Sequence, residues 1–390
     1  MKYTATVLFF FIVSIGCTNK ETQHEQKISG EIIEIHNPKK LSIDDIILEY
    51  DTIRLEVTED SYIAEITKME ILDNKMYIWD YKQNMIFIFS SNGKFISKIN
   101  DRGEGPNQYI AINGFEADFK NNKIILSDTF SIRIFVYNKE GKQEKVIKFE
   151  GTPLKIAQQN DYFINVYTGI KNIYDNPDIE NKMVHFFDSC GQYKYGLLDK
   201  PQGNTIAMAP LRNICCLKNG DVLFQPLLDY SIYKISDGKC NIAYTLENKA
   251  DFKLLNNKQK DNISLIVGKE NSLAEIEKKG YLLFLGDILD TENYILLYPG
   301  YNKQFIIVYH KTKKESVTIF PEKLEGDEIQ KLMLSVRPNT ADKDIFYIAL
   351  DYLFVDKAID KVKNNKLKEF FKNTKEMDNP CIITYKIRDL

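Results

Sequence analysis

From about residue 46 onward, apolar residues come in runs of four to six, separated by turn-forming residues. Runs this short, alternating or nearly all apolar, predict strands buried on one or both faces. The runs also repeat. Asn74-Lys75-Met76-Tyr77-Ile78-Trp79-Asp80 matches Asn122-Lys123-Ile124-Ile125-Leu126-Ser127-Asp128. Ile86-Phe87-Ile88-Phe89 and Asn92-Gly93-Lys94 follow the first copy. Ile134-Phe135-Val136-Tyr137 and Glu140-Gly141-Lys142 follow the second at the same offsets. The unit is strand, Asp-containing turn, strand, Gly turn, strand. Glycine permits the positive φ that a tight hairpin needs.

Fainter copies follow. One runs through Asp161 to Ile164, Met183 to Phe187 and Gly191. Another runs through Asp221 to Phe224, Ile232 to Ile235 and Gly238. A fifth uses Asn293 to Tyr298 and Phe305 to Tyr309, and a sixth uses Asp344 to Ala349 and Ile382 to Ile387. A lone four-stranded sheet cannot bury both of its faces. Packing such sheets radially covers them and leaves short, protected edges. The pattern therefore predicts an all-β, six-bladed β-propeller over residues 46–390. Ile53-Arg54-Leu55-Glu56-Val57 reads as the strand that completes the last blade and closes the ring.

Four stretches interrupt the repeat. Lys253 to Lys279, Glu322 to Val336 and Tyr352 to Met377 have helical apolar spacing and Lys-rich faces. They predict helices inserted in the later blades, packed on the rim or capping one face. Tyr167 to Lys182 collects Asp175, Asn176, Asp178, Glu180 and Asn181. Oxygen ligands suit Ca²⁺, but this spacing does not match an EF-hand, and a solvated loop is the simpler reading.

The first residues differ in kind. Lys2 gives a positive start, Val7 to Val13 an apolar run, and Ser14-Ile15-Gly16-Cys17 a small-residue segment before a cysteine. The run is too short to span a bilayer as a helix. The order predicts a signal peptide over residues 1–17 with lipid attachment at Cys17, since it resembles a bacterial lipoprotein box. Residues 18–45 then read as a tether and lead-in, the polar part running from Thr18 to Gln26.

Composition sharpens this picture only in places. With 23 Tyr and 23 Phe among 390 residues, aromatic content favours strands. The formal net charge is −3 and the lysines are dispersed, so no basic stripe marks a nucleic-acid partner. After Cys17 five cysteines remain: Cys190, Cys215, Cys216, Cys240 and Cys381. The odd count and adjacent Cys215-Cys216 read as buried thiols, a Cys190–Cys240 bridge being the less favoured alternative.

Arg102-Gly103-Glu104-Gly105-Pro106-Asn107-Gln108-Tyr109, Ile124 to Asp128 and Arg133-Ile134-Phe135-Val136-Tyr137 together resemble an NHL-type propeller repeat. The chain after Cys17 resembles the six-bladed β-propeller lipoproteins of Gram-negative gut bacteria. Ser61 to Ile66 and Asn379-Pro380-Cys381-Ile382 carry further likeness, whereas Asn107-Gln108 stands where that family more often has Gly-Glu. The resemblance implies fold and location, a monomer anchored at the outer membrane, rather than an activity. In the motif loop, Arg102, Gly103, Gly105, Pro106 and Tyr109 read as a blade-to-blade turn. No helix follows that could offer its N-terminus to a phosphate.

No catalytic motif is evident. The histidines are His24, His36, His185 and His310, and none has metal-ligand spacing. The six arginines and the absence of Asp-box turns argue against a sialidase. Lactonase-like propellers hold calcium with a ring of acids at the channel mouth. Glu65, Glu116, Asp118, Asp287 and Asp290 fall on or near predicted innermost strands and are the candidates for such polar residues. The expected function is a binding or scaffolding module, with no cofactor, for a glycan, a peptide or an envelope protein. The alternative is a calcium-dependent hydrolase or lyase.

Overall fold

The computed structural model describes residues 30–166, 179, 181–200, 212–256, 259–260, 276–284, 286–300, 305–326 and 328–389. The signal peptide, Cys17, the polar tether and most of the acidic insertion in the third blade lie outside the described residues. So does most of the stretch Lys253 to Lys279, of which 259–260 and 276–278 are helical.

Among the described residues, twenty-five strands form six sheets. Two precede the blades: β1 (Glu31–Ile35) and β2 (Ile47–Ile53). Blade 1 holds β3 (Ile66–Leu72), β4 (Lys75–Asp80), β5 (Met85–Ser90) and β6 (Phe95–Ile99). Blade 2 holds β7 (Gly114–Asp118), β8 (Lys123–Asp128), β9 (Arg133–Asn138) and β10 (Gln143–Lys148). Blade 3 holds β11 (Ile156–Gln159), β12 (Tyr162–Val166), β13 (Lys182–Phe187) and β14 (Tyr193–Asp199). Blade 4 holds β15 (Ile214–Cys216), β16 (Val222–Phe224), β17 (Ser231–Ser236) and β18 (Lys239–Asn248). Blade 5 holds β19 (Ile288–Asp290), β20 (Tyr294–Leu297), β21 (Ile306–His310) and β22 (Glu315–Ile319). Blade 6 holds β23 (Thr340–Asp342), β24 (Ile345–Leu350) and β25 (Cys381–Ile387), completed by β2. The six predicted copies are these blades, and the innermost strand of each runs along the propeller axis.

The repeated residues explain the local geometry. Asp80 and Asp128 end the second strands, fully buried. Asp128 Oδ2 accepts from Ile110 N at 2.8 Å and Ser131 Oγ at 2.6 Å, while Oδ1 accepts from Phe130 N at 2.9 Å. Asp80 takes Ala64 N at 2.6 Å and Gln83 N at 3.0 Å in the same way. One carboxylate thus caps its turn and also pins the loop arriving from the neighbouring blade. Gly93 and Gly141 sit at φ +85° and +80° in the hairpins that follow. A Cβ at Gly93 would stand 2.0 Å from the Arg54 carbonyl oxygen, so this turn needs glycine for space as well as conformation.

The cores lie between blades. Tyr77, Ile86 and Ile88 of blade 1 pack against Phe115, Leu126 and Phe135 of blade 2. Each sheet is therefore buried on both faces, which is why its middle strands read as unbroken apolar runs.

Ring closure follows the expected principle but uses an earlier strand. β2, Ile47–Ile53, pairs antiparallel with β25, while Arg54 to Val57 lie beyond its end. As the outermost strand of its blade, β2 buries little, so apolar pattern does not mark it. The lead-in differs too. β1 pairs parallel with β18 as a fifth strand of blade 4, with Ile33 and Ile35 fully buried. Among the described residues, the two last insertions hold α1 (Glu328–Ser335), α2 (Tyr352–Ala358) and α3 (Asn365–Lys372). Leu334, Val355, Leu367 and Phe371 pack with Phe346 and Tyr385, so these helices cover the rim of blades 5 and 6.

Candidate functional site

The innermost strands leave an axial cavity of about 530 Å³. That volume lies within the range of small-molecule sites. Its wall comes from blades 1, 2, 4, 5 and 6. Phe119, Ile214, Leu217, Ile288, Leu289 and Ala341 supply apolar surface. Lys68, Arg212, Lys218 and Lys343 supply four cations, and Glu70, Glu116, Asp290 and Glu292 four carboxylates. None of the rim helices contributes to it.

Lys68 organises one side. It stands on β3, its side chain 5% exposed, with Nζ 2.6 Å from Glu116 Oε2 and 3.0 Å from Glu70 Oε1. It also donates to the Phe115 carbonyl oxygen at 2.8 Å. Burial alone would lower the pKa of this amine. Glu116 and Glu70 outweigh burial and hold its pKa above that of an ordinary lysine. Burial pushes the Glu116 carboxyl up, with Lys68 pulling the other way. Glu116 Oε1 is buried with no hydrogen-bond partner. Behind this pair lies Lys155, which burial pulls down to about 8, against the pull of Glu116.

Arg212 marks a second region, at the start of β15. Its guanidinium Nη1 donates to the Pro338 carbonyl oxygen and lies 3.8 Å from Asp287 Oδ1. Arg337 Nη1 binds Asp287 Oδ2 at 2.6 Å, so two guanidinium groups share one carboxylate. Asp290 lines the cavity from β19, with Lys311 Nζ 2.6 Å from its Oδ1. Burial raises its pKa and Lys311 opposes the rise.

Two cysteines of β15 also face this environment. Cys216 Sγ lies 4.0 Å from Glu116 Oε2. Burial pushes Cys215 up to about 12 and Cys216 well above an ordinary thiol. Neither is an activated thiolate, because reactive cysteines need the opposite shift. All five cysteines among the described residues are free. His185 is buried, its Nε2 2.7 Å from the Ile179 carbonyl oxygen, and burial lowers its pKa.

Of the five acids singled out from sequence, the structure brings Glu116 and Asp290 to the cavity wall. Asp287 sits beside it, bound by the two arginines. Asp118 is turned away, accepting from Asn121 N at 3.1 Å and Asn121 Nδ2 at 2.7 Å in the β7–β8 turn. Glu65 precedes β3 and is exposed, 3.1 Å from Lys82. Among the described residues, no group of three or more His, Cys, Asp or Glu is arranged to hold a metal ion. Lys68 and Arg212 were not singled out from sequence. Their signal was a lone lysine inside the apolar run Ile66 to Leu72, and an arginine directly before a strand in a chain with six arginines.

The motif loop links blades. Tyr109 is fully buried and its hydroxyl donates to the Asn84 carbonyl oxygen at 3.1 Å. Gly105 N donates to Gln108 Oε1 at 2.9 Å, and Arg133 Nη1 reaches the Pro106 carbonyl oxygen at 3.2 Å. Arg102 bridges to Tyr109, and Gly103 N donates to the Tyr109 carbonyl oxygen at 2.9 Å. The backbone donors at Gly103 and Gly105 are spent within the loop, leaving neither for an anion.

Among solved structures, a Bacteroides fragilis protein provisionally described as exported matches with a TM-score of 0.71 at 16% identity, over 93% of this chain and 100% of that one. A duf4221 family member from Bacteroides vulgatus matches with a TM-score of 0.54 at 13% identity, over 88% of this chain and 97% of that one. At such identities the likeness speaks to the fold. No curated protein matches the chain. The family model for a domain of unknown function, DUF4934, spans residues 30–386, from just before β1 to the end of β25, and so covers the whole propeller that encloses the cavity; the chain belongs to that family.

Proposed function

We propose that this chain is an exported binding module, held at the outer membrane by lipid on Cys17, whose axial cavity takes a small ligand such as a glycan fragment or a peptide. The observation that carries the reading is the cavity itself: about 530 Å³, lined by both apolar and charged side chains, on the axis of a closed ring. Its chemistry suits recognition better than turnover. A calcium-dependent hydrolase needs several carboxylates gathered around one point. Here Glu116, Asp290 and Asp287 are each paired with a different lysine or arginine at 2.6 Å, and the described acids do not gather in threes. The cavity thiols are suppressed: Cys216 lies beside Glu116, yet burial holds its pKa well above that of an ordinary thiol.

Export and anchoring rest on the order of charge, apolar run and cysteine in Met1 to Cys17. The Bacteroides fragilis relative of this fold, itself described as exported, supports a location outside the cytoplasm. Cys17→Ser should move the protein from the membrane fraction to the soluble fraction; retention in the membrane fraction would refute lipid attachment.

The binding test is a thermal-shift screen of the purified protein against envelope glycans and peptides. A ligand that binds only the folded state raises the melting temperature. Ala341→Phe, which fills the cavity from β23, should abolish that shift. A shift that survives Ala341→Phe would place the ligand elsewhere and refute the cavity as the site.

A further inference from the structure

We propose that the ligand of the axial cavity is a short peptide bound as a zwitterion, its carboxylate against Arg212 and its ammonium against Glu116; this rests on the cavity being the ligand site.

Four observations lead there. First, among the described residues the wall is balanced in charge, four cations against four carboxylates. A phosphate or polyanion would face those carboxylates at close range, and a polyamine would face the cations. Like charges set together in a partly desolvated site are strongly disfavoured. A ligand with one charge of each sign meets no such penalty.

Second, Arg212 is nine-tenths buried and yet borders the cavity. Its contacts with Pro338 and Asp287 both use Nη1, one of three guanidinium nitrogens. A planar guanidinium is shaped to grip a carboxylate through two nitrogens.

Third, Glu116 borders the same cavity with one oxygen held by Lys68 and the other, Oε1, buried without a partner. Buried polar atoms are nearly always hydrogen-bonded, so this oxygen has capacity for one further donor, which a ligand supplies once the carboxyl turns toward the cavity. An ammonium is the strongest such donor. Cys216, four residues after Arg212 on the same segment of blade 4, has its Sγ 4.0 Å from Glu116 Oε2, so both anchors stand on one side of the cavity.

Fourth, among the described residues the cavity wall has one aromatic side chain, Phe119. Sugar rings are typically held by stacking on aromatic faces, and one ring is a poor platform. The six apolar wall residues suit aliphatic peptide side chains instead.

The test uses the purified protein and a panel of free dipeptides ending in leucine, each also prepared as its N-acetyl and its C-terminal amide form. Free dipeptides should bind by calorimetry. N-acetylation and amidation should each weaken binding by roughly tenfold to a hundredfold, the worth of one charge-assisted contact. Arg212→Gln should erase the difference between acid and amide, and Glu116→Gln the difference between amine and N-acetyl. The modified dipeptides need no variant, so the test holds even where a substitution at these buried positions prevents folding. No binding by any free dipeptide overturns the proposal, as does equal binding of the modified forms. A neutral disaccharide that binds and is lost in Ala341→Phe overturns the peptide assignment while the cavity stands. Dipeptides that bind Ala341→Phe unchanged overturn the cavity itself.

Discussion

Blades 2 and 4 are built on one plan and differ at one turn. In blade 2 the inner strand has five residues, all buried, and Asp128 follows the residue paired with its first position. In blade 4 the inner strand has three residues, two of them half-buried. By the same register, Gln225 follows the residue paired with Ile214, and in blade 5 Tyr298 follows the residue paired with Ile288. Asp128 is filled by backbone and hydroxyl donors. Gln225 Oε1 and the Tyr298 hydroxyl are buried with no hydrogen-bond partner. At this one turn position the regular blade spends its polar side chain on holding the ring, while blades 4 and 5 leave theirs unspent, with Arg212 and Asp287 nearby.

The comparison breaks first at Asp128. Removing its carboxylate strands the backbone N–H groups of Ile110 and Phe130 and the Ser131 hydroxyl. Asp128→Ala should cost about 3–5 kcal/mol, because each buried unsatisfied donor costs about 1–3 kcal/mol. Gln225→Ala removes a side chain that already lacks one partner and should cost less than half as much. Urea unfolding of both variants decides the matter. Equal losses would mean that the turns of blades 2 and 4 do the same work.

A smaller effect of opposite sign is expected at Lys155, on the approach to the blade 3 inner strand. Burial lowers its folded pKa to about 8 from 10.5. The folded chain therefore holds this proton less tightly than the unfolded chain. Below about pH 8 both states carry it and the charge destabilises the fold in full. Between about 8 and 10.5 the unfolded chain keeps a proton that the folded chain has lost, so stability rises with pH. Lys155→Met removes the charge. The variant should be more stable than the parent by about 1–3 kcal/mol at pH 7, since one pKa unit is worth about 1.4 kcal/mol. That advantage should fade by pH 10. Comparing the two proteins at each pH cancels the titration of the tyrosines and thiols. A constant difference across that range would show that Lys155 is not buried as a charge.

These effects bear on what could be read before folding. Asp80 and Asp128, and Gly93 and Gly141, were legible because the same turn needs the same residue twice, at equal spacing. β2 was not, because an outermost strand has little apolar pattern to display. Glu116 and Asp290 were legible as acids on innermost strands. Their partners were not. Lys68 meets Glu116 across a blade boundary and Arg212 meets Asp287 across another, and only closure of the ring creates these pairs. Asp118 shows the reverse error. It lies on an innermost strand, yet Asn121 three residues later captures its side chain. Placement on a strand selected candidates; local turn chemistry then removed one.

The smallest expected effect is at Glu65, which also looked like a channel acid in sequence. It falls one residue before β3, after the bend that brings the chain from the closing segment into blade 1. Its backbone N–H donates to Asp80 Oδ2 at 3.3 Å, and its side chain leans outward to exposed Lys82. The backbone contact survives any substitution that keeps an amide. The side-chain pair is solvent-screened, and such pairs contribute about 0–1 kcal/mol. Glu65→Ala should therefore shift unfolding by no more than about 0.5 kcal/mol and leave ligand affinity unchanged. Glu116→Gln, one blade on, should change the affinity for free amines. The two acids are alike in type and in their nearness to an innermost strand. If Glu65→Ala weakened ligand binding as much as Glu116→Gln, the site would extend to the face where the inner strands begin, and the boundary drawn between ring-holding and ligand-facing positions would have to move.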